Sequence, residues 1–437
     1  MIRFSPESKI FFGISSFEML AMFRRGLFYA YLSIYLRHFL GLSVTETTLF
    51  ATLPMLLNIL FQTFCWGPLS DRLQKRRTLI VSGEILGAVG TLAVWAAHRL
   101  PATPEGAGYA VIIGLALVEI FWSMSNVGWS ALISDVYREV DRSTVQGRLA
   151  SLGGMGRIAG VWIGGLFYDG MGMRYNGWGF ESGALFAVAS AVMLLSVLPM
   201  LAVPEGGVGQ VDPRPAADAP STPAAGGADR LFALFLAAMV LINFGRNAIV
   251  IMVSQFLTLE SGLAVSSRVL ADIFNTQSAA MIVTGLFTGT LVHRLGNGNT
   301  VLLGTAGAIA SLLIMALSLD PAMMYLAHAL RGFADVTILA AAYTLASTLM
   351  PPARRARRFA WFNATFFLSW GVGGTLIAGP LTDLLMGRGI SEIHAYQAAF
   401  GVAALMTTAG LILLAVLRYA VLPRARRHAG TDSGQIG

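Results

Sequence analysis

Residues 67–79 read Gly-Pro-Leu-Ser-Asp-Arg-Leu-Gln-Lys-Arg-Arg-Thr-Leu, a polar and basic stretch at the junction of two long apolar segments, 45–70 and 78–98. A helix needs about 20 apolar residues to cross about 30 Å of hydrocarbon at about 1.5 Å rise per residue. Both flanking segments reach that length. The stretch therefore predicts a short basic loop between two membrane-spanning helices.

The same apolar pattern recurs along the whole chain of 437 residues, of which 55% are hydrophobic and 12% charged. Soluble domains carry roughly 25% charged residues, so most of this surface need not meet water. A membrane β-barrel would alternate polar and apolar residues, and these segments do not. We predict an all-α integral membrane protein with twelve transmembrane helices, at 10–36, 45–70, 78–98, 108–137, 146–169, 181–203, 231–258, 268–293, 299–319, 321–350, 357–386 and 395–421.

The net charge of +7 is distributed unequally between the loops. With a cytoplasmic N-terminus, about twenty Lys and Arg residues fall on the cytoplasmic side and about five on the other, as the positive-inside rule requires. This bias predicts a bacterial inner membrane, or one derived from it, with both termini in the cytoplasm. The basic runs indicate topology and contact with membrane lipid, and no nucleic-acid partner is expected. Cys65 is the single cysteine, so no cysteine metal site is expected.

The chain divides at residues 204–229, which are rich in Pro, Ala and Gly and predict a flexible cytoplasmic linker. The Gly-Leu-Ser-Val at 41–44 matches the Gly-Leu-Ala-Val at 262–265, and the same offset places Arg25 on Arg246. We therefore expect an N-terminal six-helix bundle at 1–203, a C-terminal one at 230–422 and a basic cytoplasmic tail at 423–437. Parallel six-helix repeats with a solute site near the midplane are typical of secondary transporters.

The basic loop resembles the Major Facilitator Superfamily signature G-x-L-[AS]-D-R-x-G-R-[RK]-x-x-L. Gln74 replaces a glycine of the signature, and the matching residues that we assign to a conformational latch are Gly67, Asp71, Arg72, Lys75 and Arg76. The resemblance implies the fold of that family, two pseudo-symmetric six-helix bundles. It also implies that the loop bonds to the end of the fourth helix, where Asp135 matches the partner position. The alternative is a basic turn that only sets topology.

Two further resemblances are shorter. Five glycines are spaced like the antiporter motif of drug–proton exchangers, with Val161 in place of its proline: Gly147, Gly156, Gly160, Gly164 and Gly165. Small residues at this spacing also let two helices pack closely, and helix packing is the role that we predict for them. Residues 24–54 resemble the magnetosome-associated branch of the superfamily, which implies a role in iron supply.

Six charged residues fall near the middle of the predicted helices. They are Arg24, Arg25, Arg246 and Arg331 against Glu119 and Asp335. Each costs about 2.5–3.5 kcal/mol at the bilayer centre unless it has a partner or a water-filled cavity. The positive surplus predicts a wetted cavity that binds an anion, with Arg25 and Arg246 on either side of it. The alternative is static pairing of Glu119 with Arg24 and of Asp335 with Arg331.

These residues lead to a functional hypothesis of secondary active transport by alternating access. The solute is a small anion or a metal chelate, iron included, bound by the four arginines with Tyr29, Trp122, Asn126 and Asn243. Glu119 and Asp335 would carry the coupling proton. No nucleotide-binding loop or catalytic signature is present, so we expect neither an enzyme nor a cofactor, and no metal site. Alternatives are a non-transporting membrane sensor or assembly factor, and a multidrug–proton antiporter with an apolar cavity and one isolated acid.

Overall fold

The computed structural model describes residues 6–137, 139–207, 227–349 and 355–421, and this part of the chain is helical and contains no strand. In the first half the α-helices are α1 (Pro6–Ile34), α2 (Val44–Phe61), α3 (Gly67–Leu73), α4 (Arg76–His98), α5 (Pro104–Val136), α6 (Glu139–Tyr168), α7 (Trp178–Glu181) and α8 (Ala184–Met200). In the second they are α9 (Gly227–Asn247), α10 (Met252–Thr258), α11 (Ser267–Leu295), α12 (Asn297–Leu317), α13 (Pro321–Thr348), α14 (Arg355–Gly373), α15 (Gly379–Gly387) and α16 (Glu392–Val416).

Each of the twelve predicted segments coincides with one helix or with consecutive helices, so the all-helical membrane fold is confirmed. Within the described residues, nine helices are long and apolar enough to cross a membrane, and α8 is apolar but shorter. Two long helices fall outside that set: α1, which carries Glu18, Arg24 and Arg25, and the glycine-rich α6. Much of the predicted linker (208–226) and all of the predicted tail (423–437) lie outside the described residues.

Two membrane helices widen into a π-turn immediately before a Gly-Pro pair. Residues Gln62–Trp66 precede Pro68, and residues Gly374–Ala378 precede Pro380. Proline has no N–H, so the carbonyl four residues earlier loses its usual partner and the helix must adjust. In the first case the N–H of Gly67 bonds five residues back, to the carbonyl of Gln62.

The chain forms two compact units. The first comprises Met1–Pro215 with Ser254–Glu260 and Ala264–Ser278, and the second comprises Ala216–Val253, Ser261–Leu263 and Ala279–Gly437. In the first unit α1 packs on α6 and α8, and α4 packs on α5 and α8. In the second, α9 packs on α14 and α16, and α12 packs on α13 and α16. Each unit therefore has its own helical core.

The segment Ser254–Glu260 is attached to the rest of the first unit by buried polar contacts. The hydroxyls of Ser33 and Ser254 lie 2.7 Å apart, and these two residues are separated by the same 221 positions that relate Arg25 to Arg246. The Gln255 side chain donates to the Thr47 hydroxyl at 2.8 Å. These hydrogen bonds attach the α10 helix to α1 and α2.

The glycines of α6 bring that helix against the backbone of α1. A Cβ atom on Gly156, Gly160 or Gly164 would lie less than 3.0 Å from a carbonyl oxygen of α1. Those oxygens belong to residues spaced one helical turn apart, which are Met19, Phe23 and Leu27. On Gly165 a Cβ would meet the Tyr31 hydroxyl at 2.7 Å. Gly147 lies in α6, but its surroundings are outside the described part of the chain. Backbone-to-backbone packing is what these small residues allow.

Candidate solute site

A buried ion pair crosses the middle of the first unit. Arg24 of α1 donates to a carboxylate oxygen of Glu84 on α4 at 2.8 Å, and the other Glu84 oxygen accepts the Ser125 hydroxyl at 2.9 Å. The Arg24 guanidinium also lies over the ring of Trp122, 4.4 Å from its centroid. Arg24 and Glu84 are both almost fully buried. Removal of either partner would be costly, because the other charge would stay buried without a counter-charge.

Glu84 was missed by the sequence reasoning, although it stands inside the predicted segment 78–98. The signal was present, because a carboxylate in an apolar helix demands a partner. Counting it changes the tally of central charges to four arginines against three carboxylates. The positive surplus in the described central band is therefore smaller than predicted, and Arg24 is paired with Glu84 rather than with Glu119.

Arg25 faces a different environment from its neighbour. Arg25 is exposed. Within the described part of the chain, its side chain forms no ion pair and no hydrogen bond. It lies close enough to Glu18, Glu119 and Tyr29 to interact with all three electrostatically. Glu119 on α5 is buried and accepts a hydrogen bond from the Asn58 amide of α2. The geometry thus leaves the guanidinium of Arg25 open beside a buried carboxylate.

A small cavity adjoins these residues inside the first unit. Its volume is about 20 Å³, enough for a water molecule. Its walls are mostly apolar and aromatic, and they come from α1, α2, α4, α5 and α8: Arg24, Phe28, Tyr29, Leu32, Phe50, Pro54, Thr91, Leu115, Trp122 and Ala189. Tyr29, which is 40% exposed, is the wall residue that also reaches the surface beside Arg25.

The second unit contains a corresponding group of residues in which the arginine forms an ion pair. Arg246 of α9 is buried, is paired with Asp335 of α13, and donates to the Asn243 side chain at 3.1 Å. The Asn243 amide in turn donates to Thr365 at 3.0 Å. Arg331 lines the same small cavity as Arg246 and Asp335. The structure therefore brings four of the predicted residues together here, and links Asp335 to Arg246 on another helix.

The remaining predicted binding residue, Asn126, follows one turn after Trp122 on α5. Its carbonyl accepts the Ser130 hydroxyl at 3.0 Å. The predicted residues of the first unit that gather around Arg24 and Arg25 are accordingly Tyr29, Trp122 and Glu119. Among the described residues, no group of three or more His, Cys, Asp or Glu side chains is arranged to hold a metal ion.

The basic loop is organised around Arg76. Its guanidinium bonds to the Asp135 carboxylate at 3.2 Å and to the Ser70 hydroxyl at 2.6 Å. Asp71 lies 3.6 Å from Arg76 and its side chain is 80% exposed, while the Arg76 side chain is 7% exposed. Gln74, which replaces the glycine of the signature, adopts a left-handed backbone with φ 53°. The loop is thus tied to the end of α5 through Arg76 and Asp135.

The start of the linker binds the same loop. The carbonyl of Glu205 accepts the backbone N–H groups of Arg76 and Arg77 at 3.0 and 3.2 Å, and so satisfies the first turn of α4. The Glu205 carboxylate pairs with Arg77 at 2.9 Å. The N–H of Gly207 donates to Asp135 at 3.0 Å. Glu205 was not singled out from the sequence, because nothing in it says which loop the linker contacts.

Comparison with solved structures supports the helical architecture. The chain is similar to the nucleoside transporter NupG, with TM-score 0.69 and 16% identity over 92% of this chain and 98% of that one. It is similar to a bacterial homologue of the human lysosomal transporter Spinster in an inward-facing, unoccupied conformation, with TM-score 0.65, 17% identity, and coverage of 95% and 96%. It is also similar to the peptide transporter POT in complex with sulfate, with TM-score 0.66, 14% identity, and coverage of 92% and 94%. Likeness at this identity shows the fold alone.

No curated protein matches the chain by sequence. The family model of the Major Facilitator Superfamily matches residues 14–374, and a second, overlapping match covers residues 234–435. Together the two matches include all but the ends of the chain, and the second begins in α9, at the start of the second repeat. The chain belongs to the Major Facilitator Superfamily, a family of multi-pass membrane transporters.

Proposed function

We propose that this chain is a secondary transporter that moves a small anionic solute together with a proton across a bacterial inner membrane by alternating access. Arg25 binds the anion and Glu119 carries the proton. One observation carries the proposal: Arg25 is exposed beside a buried carboxylate, whereas Arg24 and Arg246 are buried in ion pairs. The positive-inside pattern supports cytoplasmic termini.

The internal repeat strengthens the assignment. Both α5 and α13 begin at a proline, Pro104 and Pro321, and Glu119 and Asp335 follow at nearly the same distance. Arg25 with Glu119 is therefore the counterpart of Arg246 with Asp335. The second pair is closed and the first is not. Arg25 is exposed, whereas its counterpart in the second repeat, Arg246, forms an ion pair. Arg25 is therefore suited to pair with an anionic ligand.

Charge balance explains why a proton would accompany the anion. The positive charges of Arg24 and Arg25 balance Glu84 and Glu119 when both carboxylates are ionised, and Glu18, which also interacts with Arg25, adds no positive charge. Adding a monoanion would leave an uncompensated negative charge beside the buried carboxylates, which is costly. Protonation of Glu119 offsets the added charge. We therefore infer that one proton and one negative charge bind together.

An iron chelate is the specific cargo that the resemblance of residues 24–54 to the magnetosome-associated branch would imply. The family match and the structural relatives lend no support to that branch, so it stays a prediction. Uptake of radiolabelled ferric citrate into proteoliposomes tests it directly. The sensor alternative predicts no flux of any solute, and the antiporter alternative predicts export of apolar cations.

Proteoliposomes with an inward proton gradient test the anion-binding role of Arg25. We expect uptake of labelled benzoate, phosphate, citrate or ferric citrate by the wild type, and a fall of about tenfold or more in Arg25→Ala, the size expected when a charged hydrogen-bonding group is lost. Arg388→Ala, which removes an exposed loop arginine, is the matched control and should transport normally. Normal uptake by Arg25→Ala would refute the assignment.

A further inference from the structure

We propose that Asn58 is the residue through which a proton on Glu119 moves α2. It is a positioning residue, which binds the Glu119 side chain when that side chain is ionised and releases it when it is protonated. The inference rests on the proposed function, in which Glu119 carries the proton, and adds the helix that responds to that proton. It follows from the hydrogen bond between the two residues and from the interruptions of α2 on either side of Asn58.

Glu119 is a buried carboxylate whose hydrogen-bond donor comes from another helix. It accepts the amide N–H of Asn58, and within the described residues no arginine forms an ion pair with it. An ionised carboxylate can only accept hydrogen bonds, so the amide nitrogen of Asn58 must face it. The titratable groups that interact electrostatically with Glu119 come from α1 and α4, and they are Arg24, Arg25, Tyr29 and Glu84. Asn58 is therefore the contact between α2 and the proton-carrying group.

Protonation changes the strength of this contact. A hydrogen bond from an amide to an ionised carboxylate is charge-assisted, and it is roughly twice as strong as one between neutral groups. When Glu119 takes up a proton from water, its bond with Asn58 becomes a neutral one. The new hydroxyl is itself a donor, so the Asn58 N–H no longer meets two oxygens that can only accept. The contact between α2 and α5 is thus strong with ionised Glu119 and weak with protonated Glu119.

The stretch of α2 that carries Asn58 is interrupted at both ends. Pro54 lies inside the helix one turn before Asn58, and it cannot donate a hydrogen bond to the preceding turn. The π-turn Gln62–Trp66 begins one turn after Asn58. The outer face of the stretch is exposed at Leu56, Ile59 and Leu60. Prolines and π-turns are where helices bend, so residues 55–61 form a segment that can shift relative to its neighbours.

A second hydrogen bond reaches the next residue of α5. The indole N–H of Trp66 donates to the carbonyl of Ile120 at 2.8 Å, and neither group titrates. Two adjacent residues of α5 are thus bound from the same side, one by a contact that depends on the proton and one by a contact that does not. We expect residues 55–61 to turn about Trp66 when Asn58 is released, so that the proton alters the packing of α2 on α5.

Infrared titration of the purified full-length protein tests the effect of Asn58 on Glu119. Protonated carboxyl groups have an absorption band of their own, and the part of it that Glu119→Gln removes in each background belongs to Glu119. We expect the midpoint of that part to lie about one pH unit or more higher in Asn58→Leu, because the donor that favours the ionised form is gone. Asn58→Ala should give the same shift, and Asn58→Gln, which keeps an amide N–H, should largely reverse it. Gln62→Leu removes an amide one turn farther along the chain and is the matched control, with an unchanged midpoint.

Amide hydrogen exchange tests the movement of α2, at a pH where the titration shows Glu119 to be ionised. Glu119→Gln imitates the protonated side chain and Asn58→Leu removes the contact. Both should therefore speed the exchange of residues 55–61 about fivefold, the loss expected when a charge-assisted hydrogen bond becomes neutral or is removed. Exchange in α12 should stay as in the wild type. Thermal unfolding of each variant shows whether it is folded.

The outcomes separate this inference from the proposed function. If Glu119→Gln removes no band that titrates, Glu119 carries no proton and both proposals fall. If the band titrates at the same pH in the wild type and in Asn58→Leu, Glu119 remains the proton carrier and the role of Asn58 is refuted. If the midpoint shifts while exchange of residues 55–61 does not change, Asn58 positions Glu119 without moving α2, and the coupling is refuted.

Discussion

Arg24 and Arg25 are neighbours in sequence with different surroundings. Helical geometry turns successive residues about 100° apart, so Arg24 meets α4 and α5 while Arg25 meets open space beside Glu119. The sequence could predict that both arginines need an explanation. It could not predict which of the two forms an ion pair, because the carboxylate that pairs with Arg24 is 60 residues away. The nearby spacing of Arg331 and Asp335 likewise gave no sign that Arg246 pairs with Asp335.

Glu84→Gln should destabilise the protein by about 3–5 kcal/mol, because it leaves the buried guanidinium of Arg24 without a counter-charge. The double variant Glu84→Gln with Arg24→Met should recover most of that loss, since neither charge of this pair remains. Thermal unfolding in detergent measures both. Equal destabilisation by the single and double variants would show that the pair is not the source.

At the level of helices, hydropathy predicted where the membrane segments lie but not where they break. The helix is interrupted between α9 and α10 at residues 248–251, which read Ala-Ile-Val-Ile and contain neither glycine nor proline. Such a break carries no local signal, since it depends on tertiary contacts. The π-turns before Pro68 and Pro380 do have one, because proline cannot donate the next hydrogen bond of the helix.

The latch should depend on Asp135 far more than on Asp71. Asp135 bonds to both Arg76 and the N–H of Gly207, whereas Asp71 is exposed and 3.6 Å from Arg76. We expect Asp135→Asn to lower the unfolding temperature clearly and Asp71→Asn to change it little, because exposed ion pairs contribute about 0–1 kcal/mol. A larger effect of Asp71→Asn would contradict this organisation.

The contact of α6 with α1 can be tested at a single methyl group. Gly160→Ala would bring a Cβ against the carbonyl of Phe23, so the two helices must separate. Gly401→Ala in α16 adds the same methyl where no atom lies within 4 Å, and it should be neutral or slightly stabilising. The unfolding temperatures of the pair decide whether packing governs the effect.

For the whole molecule, the two repeats have the same arrangement of helices but differ in their central charged residues. Arg246 is paired with Asp335, whereas Arg25 is not paired with Glu119. Sequence comparison could align Arg25 with Arg246 because the offset between repeats is nearly constant. It could not show that one pair is closed and the other open. Glu119 accepts a hydrogen bond from Asn58 of α2, whereas Arg246 donates one to Asn243 of its own helix, α9. The positive surplus is smaller than predicted for a different reason, because the carboxylate of Glu84 was not counted.

Paired movement of one proton and one monoanion predicts electroneutral transport. Uptake into proteoliposomes should rise with an inward proton gradient and should not respond to a potassium-diffusion potential set with valinomycin. Glu119→Gln keeps the neutral form of the side chain, so it should retain anion exchange and lose proton-driven accumulation. Uptake that follows the potential would contradict the one-to-one stoichiometry.

The distance between Arg24 and Glu84 along the chain also matters during synthesis. Arg24 leaves the ribosome 60 residues before its carboxylate. At about 5–20 residues per second, that interval is about 3–12 s. Meanwhile α1 holds an unpaired charge, and it is not among the nine described helices that are apolar enough to cross on their own. We expect nascent chains that end before α4 to leave α1 at the translocation channel, so that the first helix enters the bilayer in the company of a later one.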